Sequence, residues 1–237
     1  MSLVLTKALN LIDLVEGGCE TLAGLAEESG MSRSTTHRLL ATLVKRNYLE
    51  YSDRRYQLGY RLFELAERKR EKFDFVQRLR PITERYARET SDTIHLAVLD
   101  GTNIVLIERI FGERQLQLNS YVGLRNVAIT TAVGKALISQ LPSERWPEFL
   151  ATIPARYPKT RDQLAMELRK ARQSGVAVDF DECNVGTCGI ASTFIARDSL
   201  RVACSINGAT VYFEDNRLKT LAPTVQNLAA ELGTALQ

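Results

Sequence analysis

The stretch Ser32-Arg33-Ser34-Thr35-Thr36-His37-Arg38-Leu39-Leu40-Ala41-Thr42-Leu43-Val44-Lys45-Arg46 decides how the chain reads. Leu39, Leu40 and Leu43 share one side at helical spacing, and Thr36, one turn earlier, joins them. The opposite side carries Arg33, Ser34, Thr35, His37, Arg38, Thr42 and Lys45. A helix held by one face and offering short polar and cationic groups on the other suits the major groove of DNA.

Working outward, Ser32 caps this helix with its hydroxyl, and Gly30 supplies the tight turn before it. Thr21 caps a shorter helix in which Leu22, Leu25 and Ala26 face inward. A first helix over Leu3 to about Glu16 carries the apolar stripe Leu5, Ala8, Leu9, Ile12 and Val15, and Gly17-Gly18 ends it. Helix, glycine turn and serine-capped helix make a helix-turn-helix. On the other side, Tyr48 to Leu58 alternates apolar and polar residues about a turn at Ser52 to Arg55, the pattern of a β-hairpin wing. Arg54 and Arg55 at its tip suit a phosphate or a narrow minor groove. The predicted DNA-contacting set is therefore Ser32, Arg33, Ser34, Thr35, His37, Arg38, Arg54 and Arg55.

Charge follows the same division. The 237 residues carry a net charge of +3, and residues 1–80 hold all of it: 14 Lys/Arg against 11 Asp/Glu. Residues 81–237 hold 17 of each. A local basic stripe on a near-neutral chain is the footprint of phosphate contact. Four cysteines and two histidines, with no Cys-x-x-Cys spacing, predict no zinc site and no metal or other cofactor. No leader pattern and no apolar run of about 18 residues is present, so a cytoplasmic protein without membrane contact is expected.

Gly59 to Arg80 reads as one connecting helix, with the charge run Glu67 to Lys72 exposed at its middle and Pro81 restarting the chain. The expected division is a winged helix-turn-helix at 1–60, a linker helix at 61–80 and an effector domain at 81–237. In the last of these, Ile82 to Glu89 reads as a short helix. Strands are expected at Thr93–Asp100, Ile104–Ile110, Arg114–Tyr121, Val176–Phe180, Ile190–Ala196 and Arg201–Asn207. Helices are expected after Thr130 or Thr131, over Ser143–Ala151, from the Thr160/Gln163 capping box to Gly175, and from about Glu214 to Leu236, where Pro223 kinks the helix or marks its start. The fold class is α+β, with a single antiparallel sheet in the second domain.

Two stretches there could hold a ligand. Thr130 to Ala136 places small residues and bare amides at a helix start, where the dipole favours an anion, and Lys135 adds positive charge. Asp179 to Gly189, with the strand ending Cys204-Ser205-Ile206-Asn207-Gly208, gathers acids, amides and a hydroxyl beside a sheet.

The chain resembles the isocitrate lyase regulator (IclR) family of bacterial transcription factors. The marks are Leu25 to Leu40, Tyr56-Gln57-Leu58-Gly59 after the wing, Val133-Gly134-Lys135-Ala136-Leu137, Val178 to Glu182 with Gly186, and Ser205-Ile206-Asn207-Gly208. The resemblance implies a winged helix-turn-helix, a linker helix and a GAF-like effector-binding domain. It also implies homodimers, often dimers of dimers, on palindromic operators, and a small-molecule effector that is a carboxylate such as a sugar acid, keto acid or aromatic acid. Effector contacts carried over from the family fall at Ala132, Val133, Gly134, Asp179, Gly189, Ser205 and Asn207. Three positions depart from the family: Ile129 where histidine is common, Gly189 where cysteine is common (Cys188 lies one place earlier), and Asn207 where a hydroxyl is common.

The reading is a DNA-binding transcriptional regulator, not an enzyme, controlled by a small anionic metabolite. The alternative is a thiol-based redox-sensing regulator using Cys183 and Cys188. An enzyme using His95 with a cysteine nucleophile is a third reading, with nothing in the sequence ordering those residues.

Overall fold

The computed structural model describes residues 2–213 and 216–237. The chain forms two compact units that divide after Lys72.

The first unit contains α1 (Leu3–Glu16), α2 (Leu22–Glu28), α3 (Arg33–Lys45), a hairpin of β1 (Leu49–Ser52) and β2 (Arg55–Leu58), and α4 (Tyr60–Arg70). Its core is Leu11, Val15, Leu25, Leu40, Leu43, Leu49 and Tyr56. Burial of a side chain of this size stabilises by about 1.5–3 kcal/mol, so seven of them hold three short helices and one hairpin that would not persist alone. The stripe expected on α1 is split. Of its members only Val15 is buried; Ala8 and Ile12 are half-buried and Leu5 and Leu9 are 60% and 52% exposed, while Leu11, outside the expected stripe, is buried. Four-residue steps from Leu5 drift off the face that meets α2 and α3, because Leu11 and Val15 set that face. No residue of α4 is buried, and its Tyr60 and Phe63 are exposed.

The connecting helix expected over Gly59 to Arg80 is not one helix. α4 stops at Arg70, a 3₁₀ turn covers Glu71–Phe73, and α5 runs from Phe75 to Thr90. Pro81 lies inside α5 instead of restarting the chain. Proline there leaves the Gln77 carbonyl without its helical donor. Pro81 is exposed, so that carbonyl stays on the solvent side, while Phe75, Val76, Leu79, Thr83, Tyr86 and Ala87 are buried on the other.

The second unit is built on a six-stranded antiparallel sheet of order β5-β4-β3-β8-β7-β6. The strands are β3 (Thr93–Asp100), β4 (Asn103–Ile110), β5 (Arg125–Val127), β6 (Ala177–Phe180), β7 (Thr187–Ile195) and β8 (Arg201–Ala209). Arg114 to Tyr121, expected as a strand, has no regular structure. Its alternation does not select a sheet face, since Leu116 is 57% exposed while the polar Ser120 is buried. The missing strand is the short β5, which pairs Arg125–Val127 with Asn103–Val105 of β4.

Alternation along each strand divides the core in two. Ile94, Leu96, Ile190, Phe194, Val202, Cys204 and Ile206 pack with α5 and α9 (Arg217–Thr234). Ala97, Ala191 and Ala203 pack with α6 (Ala132–Ser139), α7 (Trp146–Leu150) and α8 (Arg161–Ser174). Alanines on that second face let α6 lie close to the strands. The last helix begins at Arg217, with the exposed Pro223 inside it; the expected start at Glu214 lies outside the described residues.

Candidate functional site

In the first unit the polar face of α3 is open. Thr36, Leu40 and Leu43 are buried; Arg33, Ser34, His37, Arg38, Thr42 and Lys45 are exposed and Thr35 is half-buried. Ser32 is engaged as the cap: its Oγ accepts from the Thr35 amide (3.3 Å) and donates to Thr35 Oγ1 (2.9 Å). The side chains of Arg33, His37 and Arg38 make no hydrogen bond or ion pair among the described residues, so three basic groups stand without internal partners. The hairpin turns on Asp53 and Arg54, which take φ of 48° and 62°, as the twist of a two-residue hairpin loop requires. Arg54 points outward without a partner among the described residues. Arg55 does not share that freedom: its Nη1 lies 2.7 Å from Glu20 Oε2, tying the wing to the segment before α2.

In the second unit, the sheet register builds a row. Asp179 on β6 sits opposite Gly189 on β7, Gly189 opposite Asn207 on β8, and Asn207 opposite Thr93 on β3. The next row on the same face brings Ser205 opposite His95. The first turn of α6 lies over these rows. Gly134 lets α6 fold back on the turn before it, since a Cβ there would come within 1.9 Å of the Ala128 carbonyl oxygen; at Gly189 a Cβ would come within 2.5 Å of Asn207 Oδ1 on the neighbouring strand and 3.4 Å of the Ala132 Cβ of α6.

Between these parts lies a cavity of about 320 Å³, within the usual range for small-ligand sites. Ala132, Val133, Asp179, Gly189 and Asn207, all expected from the sequence, line it, together with His95, Asn119, Ser120, Asn126, Thr131, Cys183 and Cys188. Gly134 and Ser205 do not line it. Gly134 is a packing glycine whose amide donates to the capping Oγ1 of Thr131 (3.0 Å). Ser205 is fully buried behind Asn207, accepting from its Nδ2 at 2.8 Å. At the α6 start Lys135 N–H donates to the Thr131 carbonyl. That leaves the amides of Ala132 and Val133 as the uncommitted donors of the first turn.

The electrostatics differ from the simple expectation. Lys135 offers no charge to the cavity: its Nζ is buried and lies 2.6 Å from Glu182 Oε2 and 2.9 Å from Glu167 Oε2. Lys159 bonds the same two carboxylates, and the Tyr157 hydroxyl donates to Glu182. Burial alone would raise the Glu182 carboxyl, but Lys135, Lys159 and Tyr157 hold it below the usual range. Glu182 in turn fixes the loop that carries Asp179, because the amides of Glu182 and Cys183 both donate to Asp179 Oδ1 (3.0 and 3.2 Å). Burial, with Glu182 nearby, pushes the Asp179 carboxyl up to about 6.

His95 is buried, and its Nε2 is 2.9 Å from Ser120 Oγ. Burial, reinforced by Arg109, lowers its pKa to about 4, so the ring is neutral near pH 7. Burial also pushes the thiols of Cys183 and Cys188 up to about 11 and 12. Thiols held protonated are poor nucleophiles and slow to oxidise, which supports neither the redox nor the enzymatic reading. Ser120 carries no motif in the sequence; only its place in the cover of the cavity reveals it.

The first unit is a winged helix-turn-helix, the fold of a DNA-binding regulator, and the second holds a ligand-sized cavity on an antiparallel sheet. Residues 69–234 match the family model described as bacterial transcriptional regulator IclR C-terminal, and residues 4–53 match the IclR helix-turn-helix domain. The chain belongs to the IclR family of bacterial transcriptional regulators. It is 30% identical to the HTH-type transcriptional regulator TtgV of Pseudomonas putida, over 91% of this chain and 85% of that protein. It is 27% identical to the HTH-type transcriptional regulator KdgR of Escherichia coli, over 90% and 84%. Among solved structures, the fold is shared with an IclR homolog complexed with 4-hydroxybenzoate from Microbacterium hydrocarbonoxydans (TM-score 0.82, 21% identity, 98% of each chain). It is also shared with the Thermotoga maritima IclR (TM-score 0.76, 23% identity, 98% of each chain). The protein is thus a DNA-binding transcriptional regulator. No helix of the described residues is long and apolar enough to cross a membrane.

Proposed function

We propose that this regulator reads its operator through Arg33, Ser34, Thr35, His37 and Arg38 of α3, with Arg54 of the wing on a phosphate or in the minor groove, and that a small carboxylate in the cavity controls it. The observation that carries the DNA half is the unpartnered basic face of α3. Ser32 and Arg55 act there as cap and brace, holding the reading helix and the wing. The effector half rests on the amides of Ala132 and Val133 converging with Asp179 and Asn207 on one cavity. Sugar acids, keto acids and aromatic acids all fit its size, and the bound 4-hydroxybenzoate of the Microbacterium homolog is of that kind.

Operator fragments selected by the protein from a random-sequence DNA pool provide the test. A bidentate arginine is worth about 1–3 kcal/mol of discrimination. Arg33→Ala and Arg38→Ala should therefore each weaken binding about tenfold or more, and at least one should relax the selected sequence. Unchanged affinity in both sinks the assignment of α3. For the effector, a thermal-shift screen of keto acids, sugar acids, dicarboxylates and benzoates should give a hit that Asp179→Ala erases, since a ligand at a hundred times its Kd adds about 2.7 kcal/mol.

A further inference from the structure

Among the described residues, the cavity wall includes no lysine or arginine. The two cations that bond Glu182 of the Asp179 loop, Lys135 and Lys159, are matched one for one by Glu167 and Glu182. Asp179 therefore has no counter-charge of its own. Its Oδ1 accepts the two loop amides, and its Oδ2 has no donor among the described residues. On the next strand but one, Asn207 Nδ2 donates to Ser205 Oγ (2.8 Å) and to the Thr93 carbonyl (3.3 Å). That orientation turns Asn207 Oδ1 toward Gly189, and it too has no donor among the described residues. Asp179 and Asn207 are only 7% and 9% exposed. The register sets Gly189 between them, so two acceptors that open onto the cavity flank a position with no side chain.

An acceptor that a ligand covers without supplying a donor is costly, and a second acceptor placed against it is worse. The amides at the α6 start are donors and suit a carboxylate. The Asp179–Asn207 end asks for the opposite. We propose that the effector is a monocarboxylate carrying a hydroxyl or ammonium donor at its far end, and that Asp179 and Asn207 together reject dicarboxylates. This rests on the preceding reading that a carboxylate meets the Ala132 and Val133 amides. A hydroxyl supplies a neutral donor; an ammonium also supplies the charge that Asp179 lacks.

The test is calorimetric titration of the full chain with two matched series: benzoate, 4-hydroxybenzoate, 4-(aminomethyl)benzoate and terephthalate; butyrate, 4-hydroxybutyrate, 4-aminobutyrate and succinate. Benzylamine is added as a donor without a carboxylate. In at least one series the hydroxyl- or ammonium-bearing acid should bind at least tenfold tighter than its parent, and the dicarboxylate more weakly than the parent. Asp179→Asn keeps an acceptor for the loop amides but turns a donor amide on the ligand, so it should narrow or invert the gap between the donor-bearing acid and the dicarboxylate. A dicarboxylate binding wild type as tightly as its donor-bearing partner overturns the donor rule and leaves the carboxylate reading standing. Benzylamine binding as tightly as 4-(aminomethyl)benzoate does the reverse. Binding by none of the nine probes removes both. The wild-type ranking decides the matter even if the variant does not fold.

Discussion

His95 and Asp179 sit on one face of the sheet with opposite protonation preferences. His95, at about 4, lies below the ordinary histidine value, so the folded state prefers it neutral. Its contribution is complete above about pH 6.5 and is lost as pH falls toward 4. Asp179, at about 6, lies above the ordinary carboxyl value, so the folded state prefers it protonated. Its contribution is complete below the unfolded value of about 3.8 and is lost as pH rises through 6. Each amounts to about 3 kcal/mol, of opposite sign. Between pH 6 and 4 the two nearly cancel. Urea unfolding at pH 4, 5, 6 and 7 should therefore separate them. Relative to wild type, His95→Asn should gain stability on acidification and Asp179→Asn should lose it. Parallel pH curves for all three proteins would contradict both assignments. Asp179 was legible in the sequence because it opens a recognisable acidic motif. The role of His95 was not, because its environment is made by Ser120 and by Ser205, residues 25 and 110 positions away with no periodicity to announce them.

At the scale of elements, capping chemistry was the most legible feature. The Thr160/Gln163 capping box, the Gly175 C-cap and the caps Ser32 and Thr131 form as their side chains dictate. Breaks were harder to read. Pro81 looks like a stop, yet burial of Leu79, Thr83 and Tyr86 on the opposite face carries α5 through it. The lysine of α6 was legible as a charge but not as a strut. Lys135→Met leaves the buried Glu182 carboxylate with fewer partners, and breaking a buried pair in this way costs about 3–5 kcal/mol. Urea unfolding should show that loss, and effector affinity should fall with it, because Glu182 holds the loop on which Asp179 is mounted. A loss below about 1 kcal/mol would mean that Lys159 alone balances the network.

For the whole molecule, the apolar side chains that the chain leaves uncovered in its first unit bear on assembly. Leu5 and Leu9 of α1 and Tyr60 and Phe63 of α4 are all more than half exposed, and large apolar side chains left open in this number on one small unit are candidates for an interface. A second copy is the expected cover, since the palindromic operator that the family resemblance implies calls for a twofold protein. Sedimentation of the full chain should give a dimer or a dimer of dimers. Phe63→Glu or Leu9→Glu should shift it toward monomer and weaken operator binding while leaving helical circular dichroism intact. A wild-type monomer at micromolar concentration would rule this out. Nothing in the hydrophobic periodicity separates these leucines from core leucines; only the actual position of Leu11 and Val15 does.

The tip of the wing carries one last consequence. Arg54 is an L-residue held at φ 62°, in a conformation that glycine adopts freely and that costs other residues about 1–2 kcal/mol. A protein engineer ranking substitutions by backbone compatibility alone would place Arg54→Gly near the top. The resulting protein would melt later and hold its operator less tightly, a gain on one assay concealing a loss on the other.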